Sequence, residues 1–333
     1  MNKLIYLLFV ILFYSCIQTS PTEKYQRERT TIIDIKDSIN EILIDDILIS
    51  GFANIHFICD YMIIADPKSD NKLIHLFDKN TFQHITSIST LGQGPNEITA
   101  IGDICVNDAK REFYVLDHGK RNILCYQLDS VLINPLYEAN IKVKIDKMLF
   151  PDRCLYVNDT LYITRTIEVK EDNTFGQTVA EWNMTTGKIR AFGYECPKVK
   201  KKRFTLAASN DYGIYVKCYS HYDLMSICSL DGQLKYNIYG PNWSNTITDI
   251  CHYNMGVNLC NNKILALYSG GDYHTNDYYP MRIHVFNLNG DYIKTLNIGH
   301  RILNSCYDKD NNRLILLFDD EIQLGYLNLD NLI

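Results

Sequence analysis

From residue 31 onward the chain is written in short runs of β-branched and aromatic residues, each closed off by Asn, Asp or Gly. No stretch sustains an apolar repeat of helical period, so strands are expected throughout. One run recurs in register: Ile64 in MIIAD, Val115 in FYVLD, Ile163 in LYITR, Tyr215 in GIYVK, Ala266 in ILALY and Leu316 in LILLF, at steps of 51, 48, 52, 51 and 50 residues. Each copy holds about four strand-like runs, the period and content of a propeller blade. The pattern therefore predicts an all-β, six-bladed β-propeller of four-stranded blades.

Two copies show the unit. The second reads AIGDICVND, EFYVLD, the turn HGK, RNILCYQLD and an outer strand near VLINPLYE; the fifth reads TDICHYN, KILALYS, MRIHVFNLNG and DYIKTLNIG. The turns LDGQ (230–233) and LNGD (288–291) fall at the same junction, between third and fourth strands, and place Asx-Gly where a hairpin needs positive φ. The sixth copy has only three strands before the chain ends. The segment 31–50, TIIDIKDSINEILIDDILIS, is expected to supply the fourth and close the ring, leaving the blades to 51–333.

The N-terminus carries an address. Residues 1–15 read as a signal peptide, with Lys3 followed by eleven apolar or aromatic residues from Leu4 to Tyr14. At about 1.5 Å each these reach only half of a ~30 Å hydrocarbon core, too short for a stable span. Ser15 directly before Cys16 resembles the lipobox of bacterial lipoproteins, which would make Cys16 the lipidated first residue of the mature chain and 16–30 a polar tether. An ordinary cleaved signal that loses Cys16 is the other reading. The expected location is the cell envelope, lipid-anchored, at the outer membrane (periplasmic face or cell surface) rather than the inner one.

Composition narrows the partners. With 33 Lys plus Arg against 39 Asp plus Glu, net charge −6, a nucleic-acid partner is not expected. Five of the 11 Cys, Cys59, Cys105, Cys125, Cys228 and Cys251, sit inside short apolar runs, where Cys acts as a small buried hydrophobe. Ten remain after Cys16, a number that permits pairing without proving it. There is no CxxC and no Cys/His spacing for zinc, and no G-x-S-x-G, HExxH, Walker or EF-hand sequence, so no cofactor or metal is expected.

Between the first and second copies stands Gly92-Gln93-Gly94-Pro95-Asn96-Glu97. With the YVLD-type strand that follows, it resembles the G-x-G-P-x-E segment of the TolB-like or NHL-like six-bladed propeller lipoproteins abundant in Bacteroidota. The resemblance implies the fold and an envelope location over essentially the whole mature chain, and adds little about chemistry.

In a propeller the second-to-third and fourth-to-next-first connections emerge on one face, around the channel mouth. There the sequence places Gly92 to Glu97, a second Gly-Pro-Asn at 240–242 followed by Trp243, and loops around His118, His221 and His274. The glycine segment could present amides to an anion, or be a tight crossover whose own Glu97 satisfies them. The three histidines could hold a metal or act as acid and base, or be ordinary solvated loop residues. The longest polar insertion, YSGGDYHTNDYYP (268–280), groups Tyr268, Asp272, Tyr273, His274, Tyr278 and Tyr279, flat hydroxyl-bearing faces suited to a sugar or peptide. KVKKKR (198–203) is expected in a solvated connection, with contact to anionic lipid or glycan as the other reading. The reading is a monomeric, non-enzymatic envelope lipoprotein that meets the membrane through its lipid and binds a glycan, peptide or protein at the propeller mouth or rim. The alternative is a hydrolase or lyase acting on a glycan or lactone at the channel mouth.

Overall fold

The computed structural model describes residues 21–145, 149–169 and 175–333; the expectations for the signal peptide and Cys16 lie outside them. Blade one runs Asn54–Ile58, Tyr61–Ala65, Ile74–Asp78 and His84–Ile88, and blade two Ile101–Asn107, Glu112–Asp117, Asn122–Gln127 and Asn140–Lys144. Blade three is Leu149–Tyr156, Leu161–Val169, Phe175–Asn183 and Ile189–Ala191, and blade four Phe204–Ser209, Ile214–Tyr219, Leu224–Ser229 and Leu234–Tyr239. Blade five is Ile250–Cys260, Lys263–Asp272, Arg282–Asn287 and Tyr292–Asn297, and blade six opens with Ile302–Asp308, Arg313–Phe318 and Leu324–Asn328. Each is an antiparallel sheet in chain order, and the first strands of neighbouring blades contact one another around the whole ring. The six recurring residues, Ile64 to Leu316, all fall in second strands and are all buried.

Why the runs are nearly continuous in apolar residues is visible at each blade. Successive side chains of a strand point to opposite faces, and a blade is covered on both. Val115 joins the apolar layer shared with blade one, while Tyr114 and Leu116 join the layer shared with blade three. Six such layers exist among the described residues, one between each neighbouring pair. The Asx-Gly junctions behave as their sequence demands: Gly232 and Gly290 have φ of 91° and 82°, values at which a Cβ would be strained.

Blade six is completed by β3, Asn40–Glu41, paired antiparallel with Leu324–Asn328. The Ile42 amide extends the pairing to the Leu324 carbonyl at 2.8 Å, and Ile42 and Ile49 fill the layer between blades six and one. Closure by an N-terminal strand is thus the observed device. Two further strands precede it. β1, Glu23–Tyr25, lies parallel along the outer strand of blade four, and β2, Ile32–Asp34, parallel along that of blade five. Of the segment read as a tether, the described residues 21–30 thus lay β1 onto the edge of blade four, while the closing region 31–50 supplies β2 to blade five and β3 to blade six.

Three local expectations are corrected. VLI of blade two belongs to a short helix, α1, Leu128–Ile133, whose Leu128 and Val131 are buried three residues apart; the outer strand comes later, at 140–144. Cys105, expected to act as a small hydrophobe, is disulfide-bonded to Cys154, joining the first strands of blades two and three. Its partner lies 49 residues away, so nothing local marks the pair. Lys198 of the basic run is not merely solvated: its ammonium donates to Glu23 at 2.9 Å and to the hydroxyls of Tyr25 and Tyr239, holding β1.

Candidate functional site

Gly92 to Glu97 forms a turn closed on itself. The Gly94 amide donates to Glu97 Oε2 at 2.7 Å and the Gly92 amide to the Ile98 carbonyl at 3.0 Å. A Cβ on Gly92 would stand 2.0 Å from the Glu97 carboxylate, so the glycine admits that side chain into its own loop. Lys120 donates to the Gly94 and Glu97 carbonyls. The motif therefore fixes a crossover between blades one and two.

The blade-five insertion is shorter than its composition suggests. Tyr268 and Asp272 are strand residues, because Lys263–Asp272 stays paired with the long first strand as far as Ile250. Tyr268 lies inside the blade, its ring stacked at 4.1 Å on His284. Beyond the strand, Tyr273 packs on His221 at 4.8 Å and Tyr278 packs at a tilt against Tyr279 at 4.1 Å. His274 points to solvent with Nε2 3.6 Å from Asp249. Trp243 turns toward the outer edge of blade four, against Tyr239 at 4.6 Å. His118 Nε2 donates to the Pro151 carbonyl at 2.7 Å, which fixes the tautomer with the proton on Nε2.

The three histidines thus occupy different places. His118 lines the central cavity, His221 a side pocket, and His274 neither. Among the described residues no group of three or more His, Cys, Asp or Glu is placed to hold a metal. Burial, reinforced by Lys201 and Arg203, pushes the His221 imidazole down to about 4, and neither of its ring nitrogens has a protein partner. The side pocket, of about 330 Å³, also presents Asn242, His252 and Tyr268.

At the channel mouth is a cavity of about 390 Å³ to which all six blades contribute, from Asn54 of blade one to Asn304 of blade six. Its charged lining is Arg153, Arg165 and Arg203 with Asp103 and Asp152. Arg165 Nε donates to Asp152 at 2.8 Å and its Nη1 to the Phe204 carbonyl at 2.7 Å, bracing blade three against blade four. Asp103 accepts from the Cys154 amide at 2.9 Å and faces His56, whose imidazole burial pushes down to about 4 against the attraction of Asp103. Of this cavity the sequence singled out His118 and, within the basic run 198–203, Arg203; it missed Asp103, Asp152, Arg153 and Arg165, which lie within strands where the repeat pattern marks only fold. The one usable signal was polar or charged side chains such as Asp103, Arg153 and Asn254 interrupting inner-strand runs.

Between blades four and five sits a second arginine site. Arg29, in the crossing from β1 to β2, is buried with Nη1 2.8 Å from Asp223 Oδ1 and 3.2 Å from His284 Nδ1, while Nε donates to Gln26 at 2.9 Å. Asp223 is fully buried and also accepts from the Asn242 amide at 3.2 Å and the Tyr253 hydroxyl at 3.3 Å. A third arrangement lies on blade one, where the Ser87 hydroxyl is 2.8 Å from both His75 Nδ1 and His84 Nε2 beside a cavity of about 480 Å³. Neither imidazole is bonded to a carboxylate among the described residues, so nothing fixes one as a base.

Comparison with known proteins bears on the fold. A family model described as a 6-bladed beta-propeller matches residues 44–225, more than half of the chain. None of the curated proteins matches the sequence. Among solved structures, an exported protein of Bacteroides fragilis is similar at TM-score 0.55 and 11% identity, over 90% of this chain and 88% of that one. The extracellular domain of a one-component system of B. thetaiotaomicron is similar at TM-score 0.53 and 13% identity, over 82% of this chain and 33% of that one. A luciferin-regenerating enzyme is similar at TM-score 0.56 and 11% identity, over 86% and 93%. At such identities the likeness is one of fold. No helix among the described residues is long and apolar enough to cross a membrane.

Proposed function

Because the chain belongs to the 6-bladed beta-propeller family, we propose that it is an exported envelope protein, lipid-anchored at Cys16, that binds a small polar ligand at its channel mouth without transforming it. The observation that carries this reading is the cavity of about 390 Å³ walled by all six blades. Its size falls in the ~300–1,000 Å³ range of small-ligand sites, and its fixed polar groups sit on rigid strands. Export is supported by the Cys105–Cys154 disulfide, since such bonds persist in oxidising compartments, and by the likeness to an exported protein. Against catalysis stands the chemistry of the hydroxyl–imidazole set at Ser87, which lacks an orienting carboxylate among the described residues.

The test is binding by the whole chain to glycan and peptide arrays, with Asn304→Phe filling the cavity. Glycan binding that Asn304→Phe abolishes, at an unchanged melting temperature, is the expected result. Silence on both arrays, or binding indifferent to Asn304→Phe, overturns the reading. The anchor is tested separately by fatty-acid labelling in cells: native protein is marked and Cys16→Ser is not, and an unmarked native protein refutes it.

A further inference from the structure

We infer that the cavity's ligand is a sugar acid, a hydroxylated ring bearing one carboxylate; this rests on the reading of the channel mouth as a binding site. Among the described residues three guanidiniums line the cavity against two carboxylates, a surplus of one positive charge. The surplus is not spread evenly. Arg165 is committed to Asp152 and the Phe204 carbonyl. Arg153 stands 3.8 Å from Asp103 Oδ1, beyond hydrogen-bond reach, and makes no side-chain hydrogen bond among the described residues. Arg203 pairs with no carboxylate there, and its guanidinium lies 5.8 Å from the ring centre of Tyr273 at the rim. Two planar donor forks are therefore left with unused N–H groups at one cavity. Guanidinium forks match an oxyanion bidentately.

A single surplus charge suits a carboxylate better than a phosphate monoester, which carries close to two negative charges at neutral pH. The rest of the wall tells the same way. Asn254 is only 6% exposed, lines the cavity, and its Nδ2 has no protein partner; Thr205 Oγ1 is also unpartnered. Buried amide and hydroxyl groups left unpaired in the free protein are costly unless water or a ligand completes them. A polyol offers many hydroxyls for that purpose. The exposed wall is mainly polar, which favours a sugar over an apolar peptide end.

The experiment is calorimetric titration of the whole chain with the methyl glycosides of galacturonate, glucuronate and mannuronate, with their methyl esters, with a singly sulfated sugar and with a C-terminal carboxylate peptide. The inference expects one of the acids to bind, its ester to bind weaker by on the order of tenfold or more, and Arg153→Gln and Arg203→Gln each to reproduce that loss. An ester bound as well as its acid, or acid binding untouched by both substitutions, overturns the sugar-acid inference while leaving a binding mouth in place. Preference for the sulfated sugar or the peptide overturns the carboxylate-sugar assignment in the same way. If none of these probes binds while the arrays find another ligand displaced by Asn304→Phe, only this inference falls; if the arrays are silent too, the binding reading falls with it.

Discussion

Arg29 and Arg203 are both placed near the gap between blades four and five, and they differ in nearly every physical respect. Arg29 is buried, is held by Asp223 at 2.8 Å, and packs over Phe286 at 5.3 Å. Arg203 is exposed and faces a cavity that holds one more guanidinium than carboxylates. Charge taken out of water must be paired where it lies, and Asp223 does this through Nη1 of Arg29, leaving Nη2 buried without a partner. Charge left at a half-open cavity keeps its donors. The first site ties the N-terminal segment to blades four and five, and the second is the one proposed above to recognise a ligand.

The comparison is broken most severely at Asp223. Replacing it by Ala would strand the Arg29 guanidinium in the interior and is expected to lower stability by about 3–5 kcal/mol. Arg29→Met combined with Asp223→Leu should recover most of that loss, because removing both charges also removes both desolvation costs. Urea unfolding of the three proteins measures it; equal stability of Asp223→Ala and the native chain would dismiss the lock.

A smaller effect is expected on the cavity side from Cys105→Ala with Cys154→Ala. The bridge closes a long loop, so its loss should lower stability by about 2–4 kcal/mol. Because Asp103 is held by the Cys154 amide, ligand affinity should fall as well. Unchanged melting under reducing and oxidising conditions would contradict this.

Acid gives a third test. His56, beside the cavity, and His221, beside the side pocket, are each pushed down to about 4, in both cases first by burial. Their folded values lie below the unfolded one, so the unfolded chain binds more protons between about 4 and the ordinary ~6.5. Their contribution is full above ~6.5 and is lost as pH falls toward 4, at up to about 1.4 kcal/mol per group for each pH unit in that window. Denaturant midpoints at pH 7 and pH 4.5 measure it, and a flat profile would show that these rings are not held neutral.

The smallest stability effect belongs to Arg203→Gln. An exposed guanidinium without an ion pair among the described residues contributes within about 0.5 kcal/mol, so the melting temperature should barely move while affinity for an acidic ligand falls. A clear loss of stability would mean that Arg203 belongs with Arg29 as a structural group.

The fold and the closure lay open in the chain, whereas the cavity did not. A strand repeat, its alternation of faces and its Asx-Gly turns are local: they follow from side-chain period and backbone sterics within a few residues. That is why Ile64 to Leu316 marked the second strands and why Gly232 and Gly290 stood at equivalent turns. The missing strand of the last copy pointed to a donor within 31–50, found at Asn40–Glu41. The tyrosines of the blade-five insertion were visible by composition, but composition does not say which way a ring turns, and Tyr268 proved to be a strand residue. Arg29 meets Asp223 across 194 residues, and Cys105 meets Cys154 across 49. Such meetings have no local signature. They exist only once six blades close into a ring, when side chains far apart in sequence are brought into one dry gap or around one mouth, and burial then decides which charges are spent on the fold and which are left for a ligand.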